Sequence, residues 1–192
     1  MPKPVHCIVE IPKGSRNKYE WDEEMQAIRL DRFLFSSVVY PTDYGYIPNT
    51  LAEDGDPLDA MVCVSEATFP GCVIAVKVIA LFRMRDDKGV DDKVVCVPLH
   101  DPNWNHMETL DDLPQPLRDE ISHFFSIYKQ PEGKVVKVDG WFPAEEAMDE
   151  IEASRRRYAE RDQGEAKNEP EVGDEEEEPA AGHEDDEAGD GD

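Results

Sequence analysis

The chain has 192 residues, of which 39% are hydrophobic, and it carries a formal net charge of -25. This length suits one domain with a substantial core, and the strongly negative charge argues against nucleic acid or an anionic membrane as the partner of the whole surface. The sequence contains no apolar run near 18 residues and no signal-peptide hydrophobic region, so we expect a cytoplasmic protein.

Short β-rich segments alternate with turn residues along the first hundred positions. The first, residues 5–11, predicts a strand that ends at Pro12 and carries Glu10 near its end. A glutamate among isoleucines and valines lies either on a solvent face or in a binding site, and the sequence leaves both open. After the next turn, Lys18 and Glu20 share one face because side chains alternate along an extended segment. Further strands are expected over residues 27–35, 59–64, 72–84, 94–97 and 135–141.

The segment 38–48 is unusually rich in tyrosine, with Tyr40, Tyr44 and Tyr46 grouped around Gly45. Tyrosine rings can wedge a loop onto a core. Phenolic hydroxyls next to charged groups can also donate hydrogen bonds to phosphate. The residues alone are compatible with both roles.

Three carboxylates fall within the six residues 54–59. Gly55 can adopt backbone angles closed to other residues and Pro57 fixes its own φ, so a defined bend holds the carboxylates close together. Carboxylate oxygens suit hard divalent cations such as Mg²⁺ or Mn²⁺, although the same residues are common in solvated turns. The spacing does not fit an EF-hand, because Leu58 falls where an oxygen ligand is needed, and the chain has no P-loop motif.

A second acidic turn is predicted at residues 86–93, around Gly89, between two apolar strands. If the strands that carry the two acidic turns are neighbours in one sheet, the turns converge. Short strands with turns at such intervals are typical of a small barrel. We therefore expect an α+β, mainly β fold: a small closed five-stranded OB-like β-barrel with two C-terminal amphipathic helices.

The two helices are expected at residues 113–130 and from Pro143 onward. Between Glu160 and Asp192 there are 16 acidic and 2 basic residues, so this segment carries -14 of the total charge. Hydrophobic residues nearly vanish there, and such a segment cannot bury enough apolar area to offset its ordering entropy. The sequence thus predicts a folded domain over residues 1–163 and a disordered acidic tail over 164–192.

Neither the cysteines nor the histidines are spaced as zinc ligands. The four cysteines lie in apolar runs without a Cys-x-x-Cys pair, and the five histidines are scattered. We expect the cysteines to be buried thiols.

Several segments of the chain together resemble the soluble inorganic pyrophosphatases of the first, barrel-type family. The resemblance covers about residues 5 to 160. It rests on Glu10 to Ser15, Lys18 to Glu20, Asp31-Arg32, Tyr40 to Tyr46, Asp54 to Asp59, Asp86 to Lys93, and His123-Phe124-Phe125 with Tyr128-Lys129.

The resemblance implies hydrolysis of pyrophosphate to two orthophosphates with Mg²⁺, or Mn²⁺ or other divalent ions as substitutes, and a metal-activated water as nucleophile. It implies a homo-oligomer, a hexamer as in relatives of bacterial length, with no nucleic acid or membrane partner.

Asp56 would be the general base, and Asp91 the other catalytic candidate. The implied metal ligands are Glu10, Asp54, Asp59, Asp86 and Asp91. The implied phosphate-binding residues are Lys18, Arg32, Tyr44, Tyr128 and Lys129, supported by Glu20, Asp87 and Lys93; family members commonly have Glu at the position of Asp87.

The sequence is compatible with three functional hypotheses. The first is a Mg²⁺-dependent pyrophosphate hydrolase. The second is a non-catalytic barrel whose tyrosines bind nucleic acid, which the carboxylates near the proposed site would oppose unless metals intervened. The third is an acidic chaperone or partner-binding protein in which the tail is the functional part.

Overall fold

The structure is a computed structural model that describes residues 4–166, and the remaining positions lie outside the described residues. Within this range the chain forms eight strands, two α-helices and two 3₁₀ turns, the latter at Leu110–Asp112 and Gln130–Glu132. In chain order the elements are β1 (Val5–Ile11), β2 (Asn17–Asp22), β3 (Ala27–Phe33), β4 (Asp43–Tyr46), β5 (Asp59–Val62), β6 (Val73–Asp86), β7 (Gly89–Pro98), α1 (Gln115–Ile127), β8 (Lys137–Pro143) and α2 (Ala144–Ala166).

Five strands form a ring in the order β1-β4-β5-β7-β6, because β1 pairs with β4 on one side and with β6 on the other. Only the β5–β7 pair within this ring is parallel. β8 adds to β6 outside the ring, and β2 and β3 form a separate hairpin. The expected mainly β fold, built on five barrel strands with two late helices, is confirmed.

Alternating burial along β1 reflects its position in the ring wall. Val5, Cys7, Val9 and Ile11 are buried, whereas His6 between them is exposed. β7 instead is buried continuously from Val94 to Val97. Such a continuous apolar run is typical of a strand that is covered on both faces.

The two helices cover different parts of the core. α1 contributes Ile121, Phe124 and Phe125 to one hydrophobic cluster, and α2 contributes Ala147 and Ile151 to another. α1 begins and ends within the predicted range 113–130, since a 3₁₀ turn with Pro131 follows it and proline cannot continue the helical hydrogen bonds. α2 continues to Ala166, past the predicted domain boundary at 163, and the rest of the predicted tail lies outside the described residues.

β4 was expected as part of a tyrosine-rich loop, and the structure shows why it is a strand. Gly45 pairs with Val9 of β1, and a Cβ atom at position 45 would lie 1.9 Å from the carbonyl oxygen of Ile8. Only glycine permits this close approach of two backbones. The flanking residues Tyr44 and Tyr46 are thereby held on the ring.

The second acidic segment is mostly strand. Asp86 pairs with Gly89, so Asp87 and Lys88 alone form the turn between β6 and β7. Asp91 therefore belongs to β7 and points to the same face as Lys93, two residues on. The start of β7 was not predicted as a strand because its charged side chains interrupt the alternation of apolar residues that indicates a strand.

Three of the four free cysteines, Cys7, Cys63 and Cys96, are buried, and Cys72 is half-buried. Burial raises the pKa of the Cys63 thiol to about 12. Burial likewise raises the pKa of the Cys7 and Cys96 thiols, so these three buried thiols are protonated at neutral pH and act as core side chains. In the described part of the chain no helix is both long enough and apolar enough to span a bilayer.

Candidate active site

The centre of the site is a buried lysine between two carboxylates. The parallel β5–β7 register places Asp59 beside Lys93, and Asp91 precedes Lys93 by two positions on β7. The Lys93 Nζ lies 2.7 Å from both Asp59 Oδ2 and Asp91 Oδ1, and it donates a hydrogen bond of 2.8 Å to the Tyr44 hydroxyl. Tyr44 in turn donates to Asp59. The predicted convergence of the two acidic segments is thus present at Asp59 and Asp91.

Burial and charge together set the protonation of this centre. Burial opposes the charged form of Lys93, but the carboxylates of Asp59 and Asp91 outweigh it and raise the pKa of the ammonium well above its usual value. Burial also raises the pKa of Asp91, an effect that Lys93 counteracts. The ammonium lies 5.2 Å from the ring centroid of Phe125, close enough for a cation–π interaction. Lys93, expected only as a supporting residue, is therefore the electrostatic centre of the site.

A second lysine–carboxylate pair joins the end of α1 to the β6–β7 turn. Lys129 Nζ donates a hydrogen bond of 2.7 Å to Asp86 Oδ2. Burial would raise the pKa of Asp86, but hydrogen bonds from Lys129 and from the Lys88 backbone lower it. Tyr128, the neighbour of Lys129, is buried in the α1 cluster. Both predicted phosphate-binding residues at this helix end are therefore placed by the packing of α1.

The β2–β3 hairpin carries the remaining predicted cations. Lys18 and Arg32 are opposite each other in the hairpin register. Lys18 pairs with Glu20 and, at 3.3 Å, with Asp31, while Arg32 Nη1 lies 2.6 Å from the same Asp31 oxygen. One carboxylate thus holds two cations together. Glu20 contacts Lys18, and its supporting role stays a prediction.

The first acidic turn lies at the exposed edge of the site. Gly55 adopts a φ of 92°, and Asp54 Oδ1 accepts a hydrogen bond of 3.1 Å from the Asp56 amide. Burial, with the carboxylates of Asp56 and Asp59 adding to it, raises the pKa of Asp54. The Asp56 side chain is 67% exposed and its closest cation is Lys88 Nζ at 3.5 Å.

Glu10 and Asp87 differ in how closely they belong to the site. Glu10 accepts a hydrogen bond of 2.8 Å from the Trp21 amide, and burial raises its pKa to about 7. The carboxylate of Asp59 adds to this increase. Asp87 is exposed in the two-residue turn and forms no hydrogen bond or ion pair with any residue of the described range.

The predicted metal ligands provide carboxylate oxygens in the part of the fold where the two acidic segments meet. The five predicted ligands are all carboxylates, which suit hard divalent cations, and three of them have raised pKa values. Within residues 4–166, however, no three Asp, Glu, His or Cys side chains are drawn together closely enough to hold an ion. Lysine ammonium groups contact the carboxylates instead: Lys93 contacts Asp59 and Asp91, and Lys129 contacts Asp86. The chemistry of the residues fits such a cation.

Three further residues contribute to the site and were not predicted. Asp43 is fully buried and accepts hydrogen bonds from the Lys13 amide at 2.8 Å and from the Thr68 hydroxyl at 2.6 Å, which anchors the start of β4. Asp92 forms a bidentate pair with Arg83 beside Asp91, with both contacts at 2.7 Å. Glu132 contacts Arg32 from a distant part of the chain. Asp43 and Asp92 lie inside segments on which the resemblance rests, whereas Glu132 lies outside them.

Comparison with known proteins gives one consistent result. The sequence model of the family described as inorganic pyrophosphatase matches residues 7–159. The inorganic pyrophosphatase of Methanosarcina acetivorans is 56% identical over 154 residues, covering 80% of this chain and 92% of the relative. That of Streptomyces coelicolor is 54% identical over 157 residues, covering 81% of this chain and 95% of the relative.

The solved inorganic pyrophosphatase structure from Thermus thermophilus has a TM-score of 0.79 at 45% identity, covering 82% of this chain and 92% of that one. That from Helicobacter pylori has a TM-score of 0.79 at 37% identity, covering 82% and 94%.

Proposed function

The chain belongs to the inorganic pyrophosphatase family, and we propose that it hydrolyses inorganic pyrophosphate to two orthophosphates with Mg²⁺ as cofactor. The observation that carries this proposal is the meeting of carboxylates from two neighbouring strands with lysines: Lys93 contacts Asp59 and Asp91, and Lys129 contacts Asp86. Carboxylates alone would repel a pyrophosphate anion. Lys18 and Arg32, which Asp31 holds together on the β2–β3 hairpin, would supply further positive charge.

Divalent cations, when bound, would supply an acidified water nucleophile and would offset the negative charge of the substrate. The residues that would hold them are Glu10, Asp54, Asp59, Asp86 and Asp91, and Mn²⁺ or another divalent ion could substitute for Mg²⁺. The lysine contacts to Asp59, Asp91 and Asp86 each involve one of the two carboxylate oxygens.

The chain's own side chains have separate roles in the proposed reaction. Arg32, Lys18 and Lys129 bind phosphate oxygens, and the Tyr128 hydroxyl donates a hydrogen bond to them. The Tyr44 hydroxyl does so once its proton leaves Asp59, to which it donates in the structure. The attacking water forms a bond to one phosphorus atom, the bridging P–O bond breaks, and the other phosphate leaves. Asp56 accepts the proton of the water. Its exposed position at the edge of the site leaves it free to do so.

The proposal also includes a cytoplasmic location and a homo-oligomer, a hexamer by resemblance. Exposed aromatic side chains support self-association: Phe35 is 64% exposed and Phe69 is 65% exposed. Light scattering after gel filtration measures the mass directly, and a monomeric mass at micromolar concentration would contradict this part of the proposal.

One assay separates the hydrolase from the two other hypotheses. We expect phosphate release from pyrophosphate in the presence of Mg²⁺ and its loss when EDTA is added. A nucleic-acid-binding barrel or an acidic partner-binding protein would release no phosphate under either condition. Absence of release with both Mg²⁺ and Mn²⁺ would reject the proposed function.

Two substitutions should separate a metal ligand from a phosphate-binding residue. Asp59→Ala should raise the Mg²⁺ concentration needed for half-maximal rate, because a ligand carboxylate is lost. Arg32→Ala should mainly raise the KM for pyrophosphate, because a guanidinium over phosphate oxygens is lost. The measurement is the rate as a function of Mg²⁺ and of pyrophosphate for both variants. If both had the metal dependence of the parent, this division of roles would be wrong.

Removal of residues 167–192 should leave hydrolysis nearly unchanged, because every proposed site residue precedes this segment. The segment contains 13 acidic and 1 basic residues, so its long-range charge could slightly slow the approach of an anion. Any such effect should shrink as salt is raised. The check is kcat and KM of the shortened and full chains at low and high salt. A several-fold loss of turnover at high salt would assign the segment a direct role.

A further inference from the structure

Arg32 is held by two carboxylates that come from different parts of the chain. Asp31, its neighbour on β3, contacts Nη1 at 2.6 Å. Glu132, 100 positions further along, accepts a hydrogen bond of 2.8 Å from Nε. Nη2 forms no hydrogen bond or ion pair with the described residues, so this nitrogen is left for a ligand.

Two contacts are enough to fix the orientation of a guanidinium group. The group is planar, so fixing Nε and Nη1 also fixes the direction in which the Nη2 hydrogens point. The side chains of Arg32 and Glu132 are 31% and 21% exposed. A partly buried pair is less screened by solvent than a surface pair, and it is correspondingly better able to hold an orientation.

Glu132 also links Arg32 to the other phosphate-binding residues. It ends the 3₁₀ turn that follows α1, and its amide donates a hydrogen bond of 3.1 Å to the carbonyl of Lys129. Lys129 and Tyr128 are therefore fixed relative to Glu132. Through Glu132, the cation on β3 is fixed relative to the cation at the end of α1.

We propose that Glu132 is a positioning residue for pyrophosphate: it orients Arg32 and sets its distance from Tyr128 and Lys129. This inference rests on the proposed function. The alternative is that Glu132 merely stabilises the hairpin against α1. A positioning role and a stabilising role predict different results when Arg32 is absent, because Glu132 can position Arg32 only while Arg32 is present.

The experiment is a double-mutant cycle of Glu132→Ala and Arg32→Ala, with kcat and KM for pyrophosphate measured at saturating Mg²⁺. In the parent background we expect Glu132→Ala to raise KM about three- to tenfold, in the range of coupling between contacting residues, with kcat changed less than KM. In the Arg32→Ala background we expect no further rise. Glu132→Gln keeps an acceptor oxygen and should fall between parent and Ala. Glu108→Ala breaks a more exposed pair, in which Lys77 contacts a glutamate that is 69% exposed, and as a control it should leave KM unchanged.

Two results would overturn the inference: an unchanged KM for Glu132→Ala, or an equal rise of KM in both backgrounds, which a purely structural role predicts. If Glu132→Ala does not fold, the same cycle with Glu132→Gln decides. A parent that hydrolyses pyrophosphate while Glu132 has no effect rejects this inference alone. A parent without hydrolysis rejects the proposed function and this inference with it.

Discussion

Asp56→Asn should lower the turnover of pyrophosphate about 10²- to 10⁴-fold near neutral pH, the usual contribution of a general base. Asparagine keeps the size and one acceptor oxygen of aspartate but cannot take a proton. Since Asp56 lies between Asp54 and Asp59 in the turn and is not tightly paired, its loss should alter Mg²⁺ affinity far less than turnover. Higher pH should recover part of the rate, because hydroxide then replaces the missing base.

The measurement is turnover as a function of pH for the variant and the parent at saturating Mg²⁺. Asp119→Asn, on the exposed face of α1, is a matched control that should behave as the parent. Undiminished turnover of Asp56→Asn at neutral pH would transfer the base role to Asp91. That residue is the weaker candidate, because its carboxylate is already paired with Lys93 at 2.7 Å.

Lys93→Met should destabilise the protein by about 3 to 5 kcal/mol in Mg²⁺-free buffer, the usual cost of removing one partner from a buried ion pair. Methionine preserves most of the volume and leaves Asp59 and Asp91 without the ammonium that contacts both. Added Mg²⁺ should restore part of the loss, because a cation that binds only the folded protein stabilises it.

Urea unfolding of Lys93→Met and of the parent, with and without Mg²⁺, tests this expectation. Lys137→Met removes a lysine whose side chain is 76% exposed and which pairs with Asp139 at 3.4 Å. This control should change the free energy of unfolding by no more than about 1 kcal/mol. A Lys93→Met variant as stable as the parent without Mg²⁺ would show that the two carboxylates need no counter-charge.

Much of the fold followed from local patterns in the sequence. Residues 5–11 are β-rich and are followed by Pro12, and the strand predicted there has the same bounds in the structure. The convergence of the two acidic segments was conditional on two strands being neighbours, and the β5–β7 pairing supplies that condition. β4 escaped prediction because its strand character depends on Gly45 meeting the backbone of β1, which no local pattern encodes.

The parts of the site that the sequence did not reveal are long-range contacts. Glu132 carries no local signal for its contact with Arg32, since 100 positions separate them. Asp43 was part of a tyrosine motif, but its role depends on accepting hydrogen bonds from Lys13 and Thr68. The functional assignments of the individual carboxylates and cations stay predictions until the variants are measured.

The parallel pairing of β5 with β7 also determines how long a fragment of the chain must be to contain the charged residues of the site. Asp59 and Lys93 are 34 positions apart, and because a parallel pair cannot be closed by a tight turn, the connection between them runs through β6. A peptide that contains the first acidic turn would carry its carboxylates without Lys93, and one that contains the β6–β7 hairpin would carry Lys93 without Asp59. A piece of the chain that carries all three charges must therefore extend at least from β5 through β6 to β7.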